Sequence, residues 1–189
     1  MSFTSIDICS HALVKLGANS ISSFSEETTE AHIANQLYDM VLDSLLSSYP
    51  WRFALKQASL ARLADNPKAD YQYAFALPGD CIRILSAGQT NRGTGLNYRV
   101  AHQQLHTNSP SVMLTYLSRP NESDFPAFFV EALVAKLAAE FCLPLTESTA
   151  RTDYLKKQAQ EALQIARLTD SQQSIPEAFQ DFSLIEVRS

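Results

Sequence analysis

The chain has 189 residues, 46% of them hydrophobic, which is enough for one domain with a real core and too short to require two. Five glycines and eight prolines argue against a collagen-like or largely disordered chain. The formal net charge of -5, from 15 Lys and Arg against 20 Asp and Glu, makes it a poor candidate for gripping phosphate backbones, because that affinity comes from cationic groups displacing counterions.

Residues 5–16 read as a first helix. Thr4 is placed to cap it and Asp7 lies in its first turn. Ile6, Cys9, Leu13 and Leu16 give it an apolar face, and Gly17 is a natural stop. Residues 19–27 form a polar loop anchored by Ile21 and Phe24. A second helix is expected over 29–49, with Ile33, Leu37, Met40 or Val41, and Leu45 at helical spacing, ended by Pro50.

The period then changes to two. Trp51, Phe53 and Leu55 alternate with Arg52, Ala54 and Lys56, and Tyr71, Tyr73, Phe75 and Leu77 alternate with Gln72, Ala74 and Ala76. Both runs read as strands. Pro78-Gly79-Asp80 is a turn, followed by a strand over 81–85. The polar stretch 88–96, with Gly93 and Gly95, reads as an exposed mobile loop, and short strands follow at 98–101, 104–107 and 112–117. The strand region as a whole is 51–118.

Helical spacing returns after Pro120. A third helix is expected over 126–143, with Pro126 in its first turn, Asp124 as a possible cap and Pro144 as its end. Its Phe, Leu, Val and Ala residues cover more than one face, so it should be buried between neighbours. A fourth helix is expected over 148–171, with Leu155, Ala159, Ala162 and Ala166 as its inner stripe. Residues 172–189 form a tail carrying Ile175, Phe179, Phe182, Leu184, Ile185 and Val187. The fold class is therefore α+β: a mainly helical domain of four helices over 1–171, an inserted meander of short antiparallel strands, and an extended C-terminal tail.

Chemistry is hard to find in these residues. There is no phosphate-binding glycine loop, paired-Cys zinc motif, calcium loop or nucleophile elbow. His102 and His106 are four apart, but they flank a tight turn between strands, so the spacing does not make a metal site. Glu131 and Glu140 lie in the apolar third helix, where burial would raise a pKa; the simpler reading is that they mark its solvated edge. Tyr49, Trp51 and Phe53 read as the core joint between a helix and a sheet. Cys9, Cys81 and Cys142 are far apart and read as buried small hydrophobes. The N-terminal residues lack a basic segment followed by an apolar run, and no apolar stretch approaches the roughly 20 residues needed to span a bilayer. The expectation is a protein made in the cytoplasm, with no membrane association, no metal, no cofactor and no catalytic residues.

Several segments together resemble a known family. The first is a short helix ending in Leu16-Gly17, then the loop Ile21-Ser22-Ser23-Phe24. The second is a long helix running into Tyr49-Pro50-Trp51-Arg52-Phe53-Ala54. The third is YAFALPGDCIRIL over 73–85, and the fourth FFVEALVAKLAAEFCLPLT over 128–146. In this arrangement, over about residues 5–171, the chain resembles head–tail adaptor proteins of tailed phages, the tail tubular protein A family of short-tailed phages. The resemblance implies a structural subunit of the virion, located at the head–tail junction. It implies a homo-oligomeric ring, twelve-fold like the portal protein above it. Its bore would continue the DNA channel without sequence-specific binding, and its lower face would receive the tail or nozzle protein. Some related adaptors degrade peptidoglycan, and no residue here is carried over for that role. The tail, with Phe179, Phe182, Leu184, Ile185 and Val187 as its docking residues, is expected to dock on another chain, a ring neighbour or the portal. Folding back on the subunit's own core is the alternative. Two other readings of the whole chain stay open: a phage-associated peptidoglycan-degrading enzyme, and an unrelated helical interaction domain.

Overall fold

A computed structural model describes residues 3–89 and 93–173. The first helix, α1 (Ser5–Lys15), starts at a reciprocal capping box in which the Thr4 hydroxyl accepts from Asp7 N–H and the Asp7 carboxylate accepts from Thr4 N–H. It ends where Gly17, at φ +68°, lets Gly17 N–H reach Val14 O and Ala18 N–H reach Leu13 O. These two bonds satisfy carbonyls that the helix end would otherwise leave open.

The second helix, α2 (Thr29–Ser47), is capped by Thr28 and stops two residues short of the expected end. Pro50 drives Tyr49 out of helical backbone space, and the Ser47 and Ser48 hydroxyls donate to the carbonyls of Ser44 and Leu45. The expected strand at Trp51 is absent. Arg52–Ala54 is a single 3-10 turn, and β1 (Leu55–Ser59) begins only after it. The apolar alternation marks a corner: Trp51 is fully buried, Phe53 half-buried and Leu55 exposed.

Six strands make two antiparallel three-stranded sheets. The first sheet joins β1, β6 (Met113–Ser118) and β3 (Cys81–Gly88), in that order, so its strands do not follow one another in the chain. The second joins β2 (Tyr73–Ala76), β5 (Gln104–Thr107) and β4 (Tyr98–Ala101). β4 and β5 are a hairpin whose turn residues His102 and Gln103 both have positive φ, 50° and 62°, the twist that a two-residue hairpin requires.

The expected third strand, 81–85, extends to Gly88. Its register slips twice, skipping Ile82 and Leu85. These two bulged residues turn toward the helices, while Ile84 and Ala87 face the second sheet. β6 does the same by simple alternation, with Leu117 in the helical core and Leu114 and Tyr116 in the other. The first sheet is thus the middle of three layers, with helices on one face and the second sheet on the other.

The stretch expected to be a loose loop at 88–96 is pinned at both described ends. Gly88 bridges Gly95, Leu96 N–H donates to Ala87 O at 3.0 Å, and Leu96 packs on the inter-sheet core. Gly93 is buried against the first sheet, where an added Cβ would overlap Thr115 Oγ1. Residues 90–92 lie outside the described residues.

The third helix, α3 (Ala127–Thr146), is buried along most of its length, as its composition requires. Pro126 caps it from extended backbone, and Asp124 belongs to a separate 3-10 turn, Glu122–Asp124. Pro144 lies inside the last turn and does not end the helix. A proline there has no N–H for the carbonyl four residues back, and the helix runs only two residues beyond it. The helix closes at Glu147, left-handed at φ 52°, whose N–H reaches Leu143 O at 3.0 Å. The fourth helix, α4 (Thr149–Ser171), is capped by the Ser148 hydroxyl and packs antiparallel on α3. The architecture is α+β, four helices with two small sheets.

Candidate functional site

The joint between helices and strands holds the largest concentration of interacting side chains. Trp51 Nε1–H donates to Leu45 O at 3.0 Å, satisfying a carbonyl at the C-terminus of α2. Its ring meets Phe129 edge-on at 5.1 Å between centroids, and Tyr49 at 4.9 Å. Phe53 and Phe125 complete the stack around Phe129. The reading of Tyr49, Trp51 and Phe53 as a core joint matches this geometry. The other side of the corner is held by Asp170, fully buried near the end of α4, whose carboxylate accepts from Arg52 N–H. Burial pushes its pKa up, and the Arg52 amide and charge only partly oppose this.

A polar cavity of about 680 Å³ is lined among others by Asp43, Asp80, Arg119 and Glu122. Arg119, just after β6, ion-pairs with Asp39 and, at 3.1 Å, with Asp43 on α2. These two carboxylates are four apart, so one helix face presents both. Tyr38 OH donates to Glu122 at 3.3 Å, and desolvation by burial, with Glu122 adding to it, raises the Tyr38 pKa. Asp80, in the turn before β3, accepts from Lys56 Nζ at 2.8 Å and from Tyr116 OH at 3.1 Å. The Lys56 hydrogen bond is the main cause that holds its pKa below the usual carboxylate range.

This arrangement ties α2, β1, β3 and β6 together. It leaves Asp80 ionised and engaged with Lys56 and Tyr116, and the neighbouring Cys81 thiol, which lines the same cavity, has its pKa raised, first by burial and then by Asp80. A sequence signal existed for it in Asp39 and Asp43 on one helix face and in the lone Arg119 before Pro120. No pattern in the chain announced that the three meet.

The remaining sequence candidates do not converge. His102 is exposed in the β4–β5 turn, and His106 sits on β5 with Nε2 3.2 Å from Gln104 Oε1. Among the described residues no group of His, Cys, Asp and Glu is placed to hold a metal ion. Glu140 pairs with Lys136 at 2.7 Å beside α2 and α4, whereas Glu131 is exposed beside α1; nine residues apart, they lie on opposite sides of α3 and do not mark one solvated edge. Cys9 and Cys142 are buried as expected, with the Cys9 thiol pushed up to about 12, first by burial and then by Asp39. Cys81 departs from the expectation and is only half-buried between the sheets.

The surface also carries large apolar residues that the subunit does not cover. On α4, Tyr154, Ile165 and Leu168 are each 60% exposed or more. At i, i+11 and i+14 they fall on one stripe, away from the inner stripe of Leu155, Ala159 and Ala166. The periodicity of the inner stripe was legible in the sequence and the outer one was overlooked. The docking residues Phe179, Phe182, Leu184, Ile185 and Val187 lie outside the described residues. Among the described residues no helix is long and apolar enough to cross a membrane. No protein-family model matches the chain, and no curated protein matches it either.

Proposed function

We propose that the chain is a structural subunit of a tailed-phage particle, a head–tail adaptor that works as part of a ring and catalyses no reaction. The observation that carries this reading is where the family-like segments fall in the fold. The Tyr49-to-Ala54 corner, the Leu77-Pro78-Gly79-Asp80 turn and the start of the 128–146 helix meet around one joint, in which Trp51, Phe129, Asp80 and Arg119 take part, while the Leu16-Gly17 stop lies at the other end of α4, where Arg151 donates to Leu16 O. Three of the four family-like segments thus share one structural joint. The exposed stripe of Tyr154, Ile165 and Leu168 supports the same reading, since a ring subunit needs faces that its own chain leaves uncovered. The net charge of -5 suits a bore through which DNA slides without sticking.

In this reading twelve copies sit under the portal protein at the head–tail junction and present the tail or nozzle protein with its attachment surface. The C-terminal segment, through Phe179, Phe182, Leu184, Ile185 and Val187, supplies part of the hold on a ring neighbour or on the portal. The test mixes the purified chain with DNA-filled heads that lack necks and sediments them. The chain should travel with the heads, and Ile165→Asp with Leu168→Asp should abolish this without lowering the melting temperature. Failure of the unaltered chain to join the heads, or cleavage of purified peptidoglycan by it, would overturn the reading.

A further inference from the structure

A groove runs between α2 and α4, with α3 as its floor. One part, about 330 Å³, is lined by Ile33, Leu37, Ala139, Leu143 and Lys156 among others. The next, about 220 Å³, is lined by Leu45, Ser48, Ala139, Lys156 and Leu163 among others. Ala139 and Lys156 belong to both, so the two form one channel. From Ile33 to Ser48 along α2 it extends about 22 Å at the helical rise per residue. Its floor and walls are largely aliphatic or small, with Gln36 and Gln160 at its two ends and Lys156 midway along it. Leu143 is 48% exposed there, Lys136 is neutralised by Glu140, and among the described residues Lys156 makes no ion pair.

We propose that in the free subunit this groove is the seat of the chain's own segment 175–187. Position selects this occupant first. Leu163 lines one end of the groove, and α4 runs on for eight residues, about 12 Å, before it ends at Ser171. If the chain reverses at residues 172–173, the six residues from 174 to 179 span up to about 20 Å. That carries Phe179 past the mouth of the groove. Charge selects it next: the segment bears Glu177, Asp181 and Glu186 against Arg188, opposite in sign to Lys156. A tethered segment sees its groove at an effective concentration of order millimolar, so it fills the groove ahead of a neighbour's segment in dilute solution. The contact keeps large apolar side chains covered until a partner with a firmer hold displaces them. It stands whether or not the chain works in a phage particle.

The test uses the full chain with a nitroxide on Gln160→Cys, in a Cys81→Ser background that removes the half-exposed native thiol. The amide signals of residues 175–187 should lose most of their NMR intensity. Lys156→Glu should restore at least about half of it, while the distant Lys68→Glu should restore none. In an equal mixture of spin-labelled chain at natural abundance with nitrogen-15 chain lacking the label, the same amides should stay sharp. Sharp amides in the labelled chain overturn the proposal. Broadening that appears in the mixture overturns it too, because the occupant is then a second copy. Should Gln160→Cys fail to fold, Gln36→Cys carries the label at the far end of the groove, where residues 182–187 are expected to broaden.

Discussion

The helical core and the core between the two sheets share the first sheet as a wall, yet they are closed in different ways. On the helical side Trp51, Phe129 and Phe141 are all fully buried, and residues from every helix converge on them. On the other side Phe75, Leu105 and Leu114 form a far smaller centre, and its rim residues Tyr73 and Tyr98 remain half-exposed. That rim is dressed with charge: Arg62 lies over the Tyr73 ring at 4.1 Å, and Arg99 pairs with Asp70 at 2.7 Å. Exposed contacts of this kind contribute about 0–1 kcal/mol each. The second sheet should therefore be the less stable unit, able to open locally while the helices stay closed.

The largest expected effect sharpens this contrast on the helical side. Trp51→Ala removes the ring at the centre of the joint and the bond to Leu45 O, and should cost about 3–5 kcal/mol in denaturant unfolding. An unchanged midpoint would mean that the corner is not the keystone described above. Phe75→Ala is the matching change in the smaller core. It should cost about 3 kcal/mol, the lower end for a buried Phe, read mainly as lost hydrogen-exchange protection in β2, β4 and β5 while α3 amides keep theirs. Equal loss in α3 would show that the two cores unfold as one.

Gly93→Ala tests the seam over the first sheet. The new methyl has no room beside Thr115 Oγ1, so the substitution should cost about 1–3 kcal/mol. Thr115→Ala in the same chain should recover most of it. A double-mutant cycle with no coupling would contradict the close approach.

Asp170 gives the smallest effect and the clearest sign. Its carboxyl pKa is raised in the folded state, chiefly by burial. A raised carboxyl contributes stability below the unfolded pKa and loses it as pH rises through the folded value. Asp170→Asn keeps an acceptor for Arg52 N–H and carries no charge. It should melt at or above the parent temperature at pH 7 and converge with the parent at acid pH, below the ordinary carboxyl range. A variant less stable than the parent at pH 7 and equal to it at acid pH would reverse the assignment.

How much of this was legible in the sequence follows from which forces act locally. Thr4 announced the start of α1 and Gly17 its end, because caps are satisfied within a few residues of chain. The corner at Trp51 looked like a strand because its alternation comes from Asp170, 118 residues away, and from Leu45 O, neither of which leaves a local trace. Pro144 looked like a stop and lies two residues before the true end, because the Thr146 hydroxyl, which donates to Cys142 O, and the Glu147 N–H, which donates to Leu143 O, close the helix beyond it. The bulges at Ile82 and Leu85 were hidden because a strand that feeds two cores breaks the period of two. The ion-pair cluster of Asp39, Asp43 and Arg119 was invisible for the same reason as the corner: its partners meet only when α2 packs against β6. The division of the molecule into a helical body and strands was readable throughout, since periodicity and caps carry it.

The measurement that bears most directly on the adaptor reading is electron microscopy of purified particles, with the subunit located by fitting its three-layer fold. The account predicts twelve copies in a ring between the portal and the tail, with the Tyr154, Ile165 and Leu168 stripe buried against a neighbour. Particles that lack the chain, or that hold it away from the head–tail junction, would contradict it.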